Sequence, residues 1–117
     1  MRKKWAVIIV AFGILFILGY SLLSSRNPSR EIVVFLPSAE NPFWMEVRRG
    51  VQDKANSLGS SYGVTILASG DLDAASQVSQ LKSVLDRGRV DAIVIGVANN
   101  KAPAPTIASY NKAGIPV

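Results

Sequence analysis

The chain has 117 residues, with 13 Lys and Arg against 8 Asp and Glu, a formal net charge of +5, and neither Cys nor His. That composition excludes a disulfide framework, a thiol nucleophile, a lipid-modified cysteine, a Cys/His zinc site and a Ser-His-Asp triad. The length suits one small domain, and the positive balance raises nucleic acid as a partner only if the charges cluster on a folded surface.

They do not. Arg2, Lys3 and Lys4 precede an uncharged stretch from Trp5 to Ser25, whose centre, Ala6 to Tyr20, is almost wholly apolar. Basic residues before an apolar run make an export signal, and the positive-inside rule directs the downstream chain across the membrane. Without those three charges, residues 26–117 carry ten basic and eight acidic side chains, a net of +2. No nucleic-acid partner is therefore expected. Two readings of residues 1–25 stay open. A cleavable signal ends at an Ala-x-Ala-like site, and Ser21-Leu22-Leu23-Ser24-Ser25 is a mediocre one; an uncleaved anchor needs roughly 17–25 apolar residues, which this stretch just reaches. In the second case residues 5–25 make the membrane itself a partner. Either way the remainder is expected to be extracytoplasmic, in the periplasm or on the outer face of the cell membrane. Residues 26–30 (Arg-Asn-Pro-Ser-Arg) read as a polar linker, and 31–117 as part of a domain.

From Glu31 the pattern alternates between strands and helices. Ile32 to Leu36 is a continuous apolar run ended by Pro37, the signature of a strand buried on both faces. Asn41 suits an N-cap and Pro42 the first helical position. The helix starting there sets Trp44, Val47, Val51, Ala55 and Leu58 on one stripe, ends at Gly59, and has Arg48, Arg49 and Lys54 on its solvated side. Gly50 in this helix is expected to allow close packing on the sheet. Val64 to Ala68 is a second strand. Asp73 caps a second helix with Val78, Leu81, Val84 and Leu85 inward, Gln77 and Gln80 on its polar side, and an end near Gly88. Arg87 and Arg89 with Asp86 and Asp91 flank the next turn. Ala92 to Val97 is a third strand, a short helix after Pro105 carries Ile107, Tyr110 and Ala113, and Gly114 to Val117 looks like entry into a fourth strand. This order predicts an α/β protein with an open parallel sheet of right-handed βαβ units, preceded by the apolar N-terminal helix. Because the pattern stops as the fourth strand begins, the chain is expected to be the N-terminal fragment of a longer protein or a truncated gene product.

In open α/β sheets ligands bind beyond the carboxyl ends of the strands, which selects residues 37–43, 69–73 and 97–104. The first loop has no glycine pattern for a dinucleotide or a nucleoside triphosphate. It offers Asn41-Pro42-Phe43-Trp44, an amide beside two aromatics. A sugar presents a C–H face to an aromatic and hydroxyls to an amide. A purely packing account is also open: Asn41 as a cap, Trp44 as part of the helix stripe. Phe43, one position off that stripe, is harder to explain by packing.

Asn41-Pro42-Phe43-Trp44, then Gly50, Ala55 and Leu58-Gly59, resembles the first helix region of type I periplasmic sugar-binding proteins, the ribose-binding family. The likeness continues through Asp71-Leu72-Asp73 with Gln77, through Val90 to Ile95, and to Ala113-Gly114-Ile115-Pro116-Val117. The resemblance implies a two-domain, Rossmann-like periplasmic-binding-protein fold that closes on a sugar by hinge bending and delivers it to an ABC permease, with no catalysis, no cofactor and no metal. It implies that Asn41 bonds sugar hydroxyls, that Phe43 and Trp44 stack on the ring, and that Asn99, where the family often has Asp, joins the ligand set. Val97 departs from the Pro frequent there, and the family's later ligand residues would lie beyond Val117. A chain of residues 1–117 alone is therefore expected to bind sugar weakly or not at all.

Other functions weigh against this one. A membrane-tethered sugar sensor working with a histidine kinase or chemoreceptor fits an uncleaved anchor and the missing lipobox Cys. An enzyme would draw on Asp71 and Asp73, although capping accounts for Asp73. A sugar-responsive repressor is disfavoured, because an export segment stands where a DNA-binding module would be.

Overall fold

The computed structural model describes residues 30–70 and 72–117. The expected signal or anchor (1–25), the first four linker residues (26–29) and Asp71 lie outside the described residues.

Strand β1 (Arg30–Leu36) is followed by helix α1 (Pro42–Leu58), a 3₁₀ turn (Gly59–Ser61), β2 (Tyr62–Ala68), α2 (Ala74–Arg87), β3 (Ala92–Ile95) and α3 (Ala104–Lys112). The sheet is parallel with order β2-β1-β3. Arg30 pairs with Tyr62 and Leu36 with Ala68 on one side of β1, and Ile32 pairs with Ala92 and Phe35 with Ile95 on the other. Arg30, grouped by the sequence with the polar linker, is thus already in the strand. The third strand ends at Ile95 rather than Val97. Gly114 to Val117 forms no strand, yet the Ile93 N–H donates to the Pro116 carbonyl at 3.0 Å, so the segment already runs beside β3.

Local chemistry explains the helix ends. Asn41 Oδ1 accepts from the Phe43 N–H at 2.9 Å and Asp73 Oδ1 from the Ser76 N–H at 3.1 Å, each satisfying a donor that lacks an intrahelical partner. Gly59 and Gly88 close α1 and α2 with φ of +67° and +68°, a conformation costly for residues with a Cβ.

The core lies on one face of the sheet. Val33 and Phe35 of β1 and Ile93 of β3 pack with Leu81 and Val84 of α2, Val90, and Tyr110 of α3. The Tyr110 hydroxyl, fully buried, donates to the Leu81 carbonyl at 2.7 Å and joins the two helices. Strand geometry turns Val34 and Leu36 to the opposite face, which α1 covers. No residue of α1 is fully buried: Trp44, Val47, Val51 and Ala55 are half-buried and Leu58 is exposed. Val94, on the edge strand, is 55% exposed, so among the described residues burial on both faces holds for Val33 to Leu36 of the central strand and not for β3.

Expectations for Gly50 and Gln77 are overturned, and Gln80, also expected on the polar side, is half-buried and donates from Nε2 to the Ala68 carbonyl at 3.1 Å. Gly50 is exposed and a Cβ there would meet nothing within 4 Å, so it does not serve close packing on the sheet. Gln77, expected on a polar side, is 1% exposed and faces the end of β3. The charges near the turn after α2 are also distributed differently. Arg87 donates to Glu31 Oε1 at 3.0 Å, which also accepts from the Thr65 hydroxyl at 3.1 Å. Asp91 and Glu31 are joined twice, the Glu31 N–H donating to the Asp91 carboxylate Oδ2 at 2.7 Å and the Asp91 N–H to the Glu31 carbonyl at 2.8 Å.

Candidate functional site

Three loops leave the carboxyl ends of the strands; hydrogen bonds tie the first two together, and the third is bonded to β1 and α2 and meets Trp44 at Gly96. After β1, the buried Ser38 Oγ accepts from the N–H groups of Glu40 (3.3 Å) and Asn41 (3.1 Å). This turn delivers Asn41 to the start of α1. With one lone pair of its Oδ1 taken by Phe43, Asn41 retains an acceptor position and its Nδ2 donors. Phe43 is 64% exposed, and its ring meets that of Trp44 edge-on, with centroids 5.0 Å apart at 82°.

The Trp44 indole, half-buried, lies against Gly96 at the end of β3. A Cβ at Gly96 would fall 2.7 Å from Trp44 Cη2, 2.8 Å from Cζ3 and 3.2 Å from Pro37 Cδ. The ring occupies the volume that any other residue at position 96 would fill.

The loop after β2 is pinned to the first. Ser69, 1% exposed, donates from its hydroxyl to the Pro37 carbonyl at 3.0 Å, and the Leu72 N–H reaches the same oxygen at 3.0 Å. Leu72 has φ of +53° and is 53% exposed, an unusual backbone for a side chain with a Cβ. The loop after β3 starts with the Gly96 N–H donating to the Phe35 carbonyl at 2.9 Å. Gln77 spans it, donating from Nε2 to the Gly96 carbonyl at 2.8 Å and accepting at Oε1 from the Ala98 N–H at 3.0 Å. Further on, Asn99 Oδ1 accepts from the N–H groups of Lys101 (2.8 Å) and Ala102 (3.1 Å), which uses both of its lone pairs on the loop itself.

Of the residues selected from sequence, Asn41, Phe43 and Trp44 come together at one helix start. Asn99 lies on the same edge but makes no hydrogen bond or ring contact with them. The selected loops contain Ser38, Ser69 and Leu72, but the sequence assigned them no role; it passed over Gly96 and misassigned Gln77. The signal in the chain was a serine just beyond each of the first two strands, inside the selected loops, and its role depends on the pairing of β1 with β2. Among the described residues no group of His, Cys, Asp and Glu could hold a metal ion, and no helix is long and apolar enough to cross a membrane. An exposed aromatic ring beside an amide suits a flat polyol with one C–H face.

A sequence model of the family described as periplasmic binding protein domain matches residues 32–117. The ribose import binding protein RbsB of Haemophilus influenzae is 28% identical over 101 residues, covering 86% of this chain and 33% of that protein. The D-allose-binding periplasmic protein of Escherichia coli is 35% identical over 65 residues, covering 53% of this chain and 20% of that protein. An ABC transporter solute-binding protein from Agrobacterium vitis, solved with D-fucose bound, superposes with a TM-score of 0.67 at 27% identity, over 74% of this chain and 30% of that one. The chain thus spans about a third or less of the length of these relatives.

Proposed function

The chain belongs to the periplasmic binding protein domain family, and on that premise we propose that it forms one wall of an extracytoplasmic sugar-binding site in the solute-binding component of an ABC importer. The observation that carries this reading is Phe43, a ring 64% exposed at the carboxyl edge of the sheet, beside the Asn41 amide. In this reading Phe43 and Trp44 offer apolar surface to the C–H face of a sugar ring. Asn41 donates through Nδ2 and accepts one hydroxyl, and Asn99 contributes only its Nδ2 donors. The work is binding, with no bond made or broken and no cofactor required. The partners are a sugar and an ABC permease, and also the membrane if residues 5–25 are retained after export. The names of the relatives, a ribose import protein and a D-allose-binding periplasmic protein, support a sugar ligand and favour import over sensing.

The described residues supply a single wall, so the affinity of the chain alone is expected to be weak. Titration of the isotope-labelled chain with D-ribose, D-allose, D-fucose and D-glucose into the millimolar range, monitored by heteronuclear NMR, tests the proposal. Amide and ring resonances of Asn41, Phe43 and Trp44 should move with at least one sugar. Movement with none of them, or movement confined to residues away from the three loops, rejects it.

A further inference from the structure

Gly96 stands where three constraints meet. Its N–H is held by the central strand through the Phe35 carbonyl, its carbonyl is held by Gln77, and the space of its missing Cβ is filled by the Trp44 indole. Gln77 reaches this point from α2, and one buried amide engages the peptide groups on both sides of Val97. A neutral side-chain amide is suited to this, because it presents one donor and one acceptor in a single plane. Removing it would leave the Ala98 N–H and the Gly96 carbonyl without these partners in a part-buried position, which the loop would relieve by moving. The indole rests on that loop, so a movement of Gly96 moves Trp44.

We propose that Gln77 and Gly96 are positioning residues for the sugar site: together they fix the place of the Trp44 ring and the course of the third loop, and so set ligand affinity without touching the ligand. The effect on affinity rests on the sugar-binding reading above, whereas the geometric linkage from Gln77 through Gly96 to Trp44 holds without it.

The test uses Gly96→Ala, Trp44→Phe, the two combined, and Gln77→Leu, each in the full chain. The Trp44 indole N–H resonance, amide exchange at Ala98, urea unfolding and affinity for the sugar that moves the wild-type resonances most are all measured. Gly96→Ala should displace the indole resonance and weaken binding about tenfold, the lower end of what an aromatic wall contributes. Phe lacks the Cη2 and Cζ3 atoms that a Cβ at position 96 would strike, so Trp44→Phe should cost little further in the Gly96→Ala background. Gln77→Leu should speed exchange at Ala98 and shift the same indole resonance. It also keeps the test alive if Gly96→Ala does not fold. An unmoved indole in both variants overturns the proposal. So do additive losses for Gly96→Ala and Trp44→Phe, or a fall in affinity that merely tracks the unfolded fraction. If the wild type binds no sugar, the sugar-binding reading fails, and the indole and Ala98 signals decide the linkage by themselves.

Discussion

Phe43 and Trp44 are neighbours in sequence with opposite surroundings. Phe43 projects into solvent, whereas Trp44 is half-buried and lies against Gly96. Phe43→Ala should therefore leave the urea midpoint almost unchanged while weakening sugar binding roughly tenfold or more, as expected for loss of an aromatic wall. Calorimetry and denaturation on the same sample check both halves, and a large loss of stability would show that Phe43 packs rather than binds. Leu72 holds a left-handed backbone that Asn adopts at lower cost. Leu72→Asn is expected to raise stability by about 0.5–1 kcal/mol, read from the urea midpoint; a loss would mean that the Leu side chain contributes more to packing than its exposure implies.

Helix α1 illustrates what a sequence pattern can and cannot assign to an element. Its cap, its proline start, its glycine end and the direction of its apolar stripe are all local, and all are found where the residues indicate. The depth of that stripe is not local. It depends on what lies over the same sheet face, and Trp44, Val47, Val51 and Ala55 end half-buried while Leu58 is exposed. Gly50 obeys the same logic, since only the neighbours of the helix decide whether a missing Cβ makes room for anything. With nothing within 4 Å of that position, Gly50→Ala should stabilise the protein by about 0.5–1 kcal/mol through helix propensity and a less flexible unfolded chain. Thermal melting tests this, and a lower melting temperature would reveal a contact to Gly50. In α2 the polar residue Gln77 interrupts a readable apolar stripe, and the reason lies 19 residues away at Gly96.

For the whole molecule, charge and titration behave simply. The chain holds no His and no Cys, so no side chain has an ordinary pKa between about 5 and 8. Stability is expected to be nearly flat with pH across that range. Burial of the Tyr110 phenol raises its pKa above the usual value of 10.0, with the positive charge of Arg87 opposing the shift. A raised pKa in the folded state gives stability that is complete below the unfolded value and declines as pH rises through the folded one. Chemical denaturation should therefore show a loss beginning near pH 10, and the advantage of the wild type over Tyr110→Phe should shrink there. An unchanged difference up to pH 11 would contradict the assignment.

The sequence by itself determined the order of the three strands and three helices, the caps of α1 and α2, the parallel βαβ architecture and the carboxyl-edge loop bearing Asn41, Phe43 and Trp44. These features depend on residues within a few positions of one another. The tertiary structure decided that Gln77 is buried, that Gly50 is free, that Trp44 leans on Gly96 while Phe43 faces water, and that Asn99 spends its acceptor on its own loop. Most of these arise from β1 pairing with β2 on one side and β3 on the other, which brings Pro37, Ser69 and Gly96 together from distant parts of the chain. Burial is a property of neighbours in space, and no local pattern carries it.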